Sequence, residues 1–107
     1  MTTPADEIHV VDVPGESRYV VRLGGEEAEL VYRLHGHRLV LVHTEVPEEL
    51  GGHGIGGRLV AAAVERARAE HLTVVPWCPF ARQWLREHSD AAAGVTIDWE
   101  TRPPSSD

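Results

Sequence analysis

From residue 17 onward, apolar and polar positions alternate with the period of two that a half-buried strand requires. Residues 17–23 (SRYVVRL) predict a strand, Gly24-Gly25-Glu26 a turn, and residues 28–34 (AELVYRL) a second strand with Leu30, Tyr32 and Leu34 on one face. His35-Gly36-His37 is the next hairpin tip. Residues 38–46 (RLVLVHTEV) predict a third strand, so this half reads as an antiparallel meander. An earlier β-like stretch at residues 8–13 ends at the turn signal Pro14-Gly15, and the ordered fold is expected to begin near Ser17.

Beyond Pro47 the period changes. Ile55, Leu59, Ala62, Ala63 and Ala67 recur at helical spacing in an alanine-rich run, which predicts a main helix over residues 55–71. A short buried strand at residues 72–75 (LTVV) follows, then a second helix at 80–88 (FARQWLREH) with Pro79 near its first turn. Residues 95–99 offer one more short strand, and residues 102–107 a loose tail. These elements predict an α/β (α+β) domain: a small, mainly antiparallel sheet packed by one main helix and a second, shorter one.

A chain of 107 residues supplies one core and not two, so residues 1–107 read as a single domain, ordered over about 17–100. No apolar run approaches the roughly 20 residues that span a bilayer. The N-terminal residues carry neither the basic flank nor the apolar core of a signal peptide, so a cytoplasmic address without a membrane partner is expected. The formal charge is −7, and all ten basic residues are arginines spread without a run. That balance sets nucleic acid aside, because the basic stripe that supplies phosphate affinity is missing. It is compatible with a cationic amine acceptor. Cys78 is the single cysteine, unable to form an internal disulfide, and is therefore either a packed apolar group or a chemical one. His35 and His37 have no Asp, Glu or Cys at ligand spacing, so no metal is expected. Nothing in the sequence marks an oligomeric state.

The chemistry concentrates where strand gives way to helix. Gly51, Gly52, Gly54, Gly56 and Gly57 place five glycines in seven residues, a costly concentration of backbone freedom. A glycine loop leading into a helix N-terminus lets phosphate oxygens approach unpaired amides directly; the competing reading is a mobile surface loop. The nucleotide P-loop requires a lysine and then Ser or Thr after its last glycine, where this chain has Arg58-Leu59. Gly52-His53-Gly54-Ile55-Gly56-Gly57 satisfies the dinucleotide pattern G-x-G-x-x-G, but five residues separate it from its strand, and Val75-Pro76-Trp77-Cys78, where the acidic ribose ligand is due, offers no carboxylate.

The remaining pattern is the pyrophosphate turn Q/R-x-x-G-x-G/A of the GNAT superfamily of N-acetyltransferases. The chain resembles a compact GNAT-like subfamily in His43-Thr44-Glu45-Val46-Pro47, Gly54-Ile55-Gly56, Leu59-Val60, Val75-Pro76-Trp77-Cys78-Pro79-Phe80 and Leu85-Arg86-Glu87-His88, across residues 17–90. The resemblance implies a GNAT-like sheet whose third strand splays from the strand at 72–75 to leave a V-shaped slot. It implies acetyl-coenzyme A as co-substrate, running over Thr44, Glu45 and Val46 to Gly51, Gly52, His53, Gly54, Ile55, Gly56 and Gly57. The implied activity is acetyl transfer to an amine of a small molecule or protein; the alternative is a non-catalytic acyl-coenzyme A binding module.

Acetyl transfer needs a base for the amine proton, donors for the thioester carbonyl and an acid for the departing thiolate. Glu45, on the slot strand, is the candidate base, and His43 alternates onto the same face. Cys78, part of the shared motif, is the second catalytic candidate, either accepting the acetyl group or protonating the leaving thiolate. Two positions depart from the family pattern. Gly51 replaces the leading Gln or Arg, a loss that Arg58 is placed to offset, and Leu85 stands where larger members carry a tyrosine acid.

Overall fold

A computed structural model describes residues 8–103. Five strands form one sheet in the order of the chain: β1 (Val11–Val13), β2 (Arg18–Leu23), β3 (Glu26–His35), β4 (Arg38–Glu45) and β5 (Thr73–Pro76). The first four pair antiparallel, and β5 joins β4 in parallel. Between β4 and β5 the chain makes a single 3-10 turn (Glu48–Leu50) and the helix α1 (Ile55–Glu70), the crossover that a parallel pair requires; α2 (Pro79–Glu87) follows β5.

Local chemistry accounts for the joints. Gly24 and Gly25 have φ of 58° and 83°, the pair of positive values that a two-residue hairpin turn needs to match strand twist, and they connect the paired Leu23 and Glu26. Helix α1 stops where His71 enters the left-handed region and the Leu72 amide reaches back to the Ala67 carbonyl at 2.9 Å.

Both helices pack on one face of the sheet. Ile55, Leu59, Val60, Ala63, Val64 and Ala67 of α1 are buried against Tyr19, Val21, Ala28, Leu30 and Tyr32, and Ala81 and Leu85 of α2 close the same cluster. Valines 60 and 64 carry the buried stripe together with the predicted positions, and Ala62 is only partly buried. No helix among the described residues is long and apolar enough to cross a membrane.

Two expectations change at the ends of the chain. Paired structure begins before Ser17, because Val11–Val13 forms an edge strand on β2 and Ile8 is already buried in the core. The β-like stretch read at residues 8–13 contains this strand. Residues 95–99 form no strand; Ile97 makes one isolated bridge to Val74, with Val74 N–H donating to Thr96 O at 2.9 Å and Asp98 N–H to Val74 O at 2.8 Å. Side chains hold this segment instead: Asp98 pairs with Arg38, and Arg82 donates to Trp99 O at 3.3 Å. Of the expected loose tail, Arg102 and Pro103 have no regular structure and residues 104–107 lie outside the described residues.

Candidate functional site

The sheet opens at the β4–β5 junction. Parallel pairing runs only from Arg38↔Thr73 to Leu41↔Pro76, whereas β4 continues to Glu45 with β3 as its partner. The Leu41 carbonyl ends the pairing by accepting both the Trp77 and the Cys78 amides at 3.0 Å. A register shift between Val31 and Tyr32, opposite the extra residue Val42, bends β4 at the same level. Residues 42–45 therefore line one side of a V-shaped slot, the splayed pair that the resemblance implies.

Cys78 sits at the apex. It is the residue before α2, 4% exposed, and its thiol donates to the Thr44 hydroxyl at 3.2 Å instead of capping the helix. Thr44 pairs with Leu30 and so faces the helices, whereas His43 and Glu45 pair with Val31 and Glu29 and face away from them. Cys78 and Glu45 thus flank β4 on opposite faces. His43 Nε2 lies 3.7 Å from Glu45, with both side chains more than half exposed.

That outer face also assembles a group that sequence spacing gave no sign of. Glu29, His43 and Glu45 each bring one ligand atom within 4.8 Å of the others. Arg18 already donates to Glu29 at 3.0 Å as well as to Glu16 and Glu27 at 2.6 Å, so any cation there would compete with a guanidinium.

On the helix side, the glycine turn forms one wall of an open cleft of about 620 Å³ that includes Val46, Gly51, Gly54, Gly57 and Arg58. Gly52 and Gly54 have φ of 84° and 67°, backbone that only glycine adopts without strain. Gly54 is the N-cap of α1; no side chain caps the helix and no acidic residue occupies its first turn, so its leading amides face the cleft with their partial positive charge. Ile55 is 1% exposed, which leaves only its backbone for a ligand, and His53 is exposed outside the cleft lining. Thr44 and Glu45 belong to the slot and not to this wall.

Gly56 and Gly57 answer to a different constraint. A Cβ on Gly56 would lie 2.6 Å from Phe80 Cζ, and one on Gly57 would overlap Trp84 Nε1. Two of the five glycines therefore exist to admit α2's rings, and those rings form the second wall of the cleft: Phe80, Trp84 and His88. Sequence reasoning missed this wall, although the i, i+4, i+8 spacing of the three rings on a helix was the available signal.

Comparison with known proteins places the chain in a family and a fold. The family described as GCN5-related N-acetyl-transferase matches residues 18–94. Protein NATD1 of Gallus gallus is 35% identical over 74 residues, covering 66% of this chain and 67% of the relative. Protein NATD1 of Xenopus tropicalis is 32% identical over 88 residues, 79% of this chain and 81% of the relative. A GCN5-like protein from Staphylococcus aureus, solved in solution by NMR, superposes with a TM-score of 0.66 at 26% identity, covering 88% of this chain and 93% of that one.

Proposed function

Because the chain belongs to the GCN5-related N-acetyltransferase family, we propose that it is a compact, single-domain enzyme that moves acetyl from acetyl-coenzyme A to an amine of a small molecule or protein. The observation that carries this reading is the slot beyond Leu41↔Pro76, with the Cys78 thiol at its apex and an uncapped helix N-terminus at its mouth.

The diphosphate lies against the amides of Gly52, Gly54, Ile55, Gly56 and Gly57, where the helix dipole favours an anion; the Gly51 amide is already given to the Glu48 carbonyl and His53 stands outside the cleft. Arg58 supplies the side-chain cation that Gly51 lacks. The pantetheine arm follows the open edge of β4 past Val46, Glu45 and Thr44. The acceptor ammonium releases a proton toward Glu45, through water because that carboxylate is largely exposed. Its nitrogen then forms a bond to the thioester carbon and gives up a second proton to solvent, and collapse of the tetrahedral intermediate breaks the C–S bond. The departing thiolate takes its proton from the Cys78 thiol, which now points at Thr44. One of the two protons released by the amine restores the cysteine through solvent, so the sum is one amide, one free thiol and one proton.

The test is release of free thiol from acetyl-coenzyme A in the presence of a panel of amines and peptides. Turnover is expected, and Cys78→Ala should lower kcat by about 10²-fold, the usual contribution of a positioned acid, with coenzyme A affinity unchanged. An acetyl adduct on Cys78, read by mass spectrometry, would replace the direct route with a two-step one. Binding without turnover on any acceptor would favour the non-catalytic binding module. That reading has its own support: Leu85, at the family's tyrosine position, is 1% exposed and committed to the core. Failure to bind coenzyme A at millimolar concentration would remove both.

A further inference from the structure

The cleft joins two walls of different chemistry. One is the α1 N-terminus, with unpaired amides and Arg58. The other is three rings spaced four residues apart along α2 and its C-cap, each lining the same space: Phe80, Trp84 and His88. The Trp84 indole and the His88 imidazole are stacked, with centroids 4.3 Å apart and planes 14° from parallel. The His88 ring is fixed in place by its Nδ1 lying 2.9 Å from the Trp84 carbonyl oxygen, and His88 is exposed. Phe80 is 44% exposed, one of three large apolar side chains left so among the described residues. An ordered stack ending on an exposed ring, beside an unfinished apolar surface in a concave wall, is a platform for another flat ring.

Gly57 fixes the distance between the walls. Trp84 Nε1 approaches the first turn of α1 so closely that no Cβ fits there, so the aromatic wall begins one side chain from the anion-binding amides. A nucleotide separates its phosphates from its base by a single ribose. A ligand with its diphosphate on α1 therefore brings its base to this wall, whereas a thioester ending at the phosphopantetheine phosphate leaves the wall bare.

We infer that Phe80, Trp84 and His88 form a purine-binding wall that selects a nucleotide-bearing thioester over one carried on phosphopantetheine alone. The inference rests on the acetyl-coenzyme A reading above and adds which residues hold the adenine end. It makes the donor a free coenzyme A thioester, not an acyl group presented on a carrier protein.

Titration of the full chain with 3′-dephospho-coenzyme A and with 4′-phosphopantetheine tests it, since the two share the thiol arm and differ by the adenosine monophosphate end. The dephospho-coenzyme is expected to bind on the order of tenfold tighter, the scale of one base–aromatic stack. His88→Ala and Trp84→Ala should each erode that advantage while leaving phosphopantetheine affinity unchanged. Trp84→Phe should retain most of it, which separates loss of the stack from loss of fold. Equal affinity for the two probes, or an advantage that survives both alanine variants and so comes from the extra phosphate, overturns the inference. Failure of both probes and of coenzyme A to bind overturns the underlying acetyl-coenzyme A reading instead.

Discussion

A methyl group at Gly57 would meet the indole of Trp84, a ring already held in a stack with His88 and therefore poorly able to yield. Helix propensity alone predicts that Gly57→Ala gains about 1 kcal/mol. Overlap of this kind costs about 1–3 kcal/mol, so the variant is expected to be net destabilised by about 1 kcal/mol in urea unfolding. In a Trp84→Ala background the sign should reverse, since the obstacle is gone and only the propensity gain remains. A loss of equal size in both backgrounds would mean that the glycine is kept for another reason. The same residues mark how far composition could be read. Five glycines correctly flagged a special turn, but their separate reasons were not in the sequence: positive φ at Gly52 and Gly54, close approach of α2 at Gly56 and Gly57.

At the scale of elements, the segment after α2 is held by a carboxylate. Asp98 accepts from the Thr101 hydroxyl at 2.6 Å, from Arg38, and from the Thr101 and Glu100 amides at 3.0 Å. These bonds, the Thr101 side chain first and Arg38 next, hold its pKa well below the usual carboxylate range. A depressed native pKa stabilises the fold above the unfolded value of about 4, and that stability is lost as pH falls below it. Wild-type protein should therefore lose protection at the Asp98 amide, the donor to Val74 O, between about pH 4 and pH 2. Asp98→Asn should exchange faster already at pH 7 and show a flatter pH dependence, read by amide hydrogen exchange. An unchanged profile in the variant would remove Asp98 as the clamp. Residues 95–99 look like a strand in sequence because Val95, Ile97 and Trp99 alternate. Only one bridge forms, since side chains from β4 and α2 hold this segment in place of a ladder.

Across the whole molecule, the cofactor reading predicts linkage between binding and stability. A ligand at a hundred times its Kd stabilises a folded protein by about 2.7 kcal/mol, which at about 4–8 °C per kcal/mol raises Tm by about 10–20 °C for a domain near this size. Coenzyme A should produce such a shift in thermal unfolding, and adenosine diphosphate, which lacks the thiol arm, a smaller one. No shift at saturating concentration would contradict a built site. The catalytic candidates also belong to this scale, because the distance of each from the cofactor is set by how far β4 and β5 diverge. Cys78 and Thr44 meet across a sequence separation of 34 residues, while Glu45 and His43 turn to the other face.

The sequence by itself determined the elements. Alternation in residues 17–46, helical spacing after residue 55 and proline at 79 are local properties, and backbone geometry converts them directly into strands and helices. It also marked the turn and the cysteine as chemical candidates. Tertiary structure alone decided which face each candidate occupies and what stands opposite. The register shift opposite Val42 sends Thr44 toward Cys78 and Glu45 away, and the packing of α2 on α1 turns Phe80, Trp84 and His88 into a wall facing the glycine turn. A one-residue change of register exchanges the two faces of a strand. That register is fixed by pairing with the neighbouring hairpin strand β3 and with β5, distant in sequence, and so cannot be read from β4 alone.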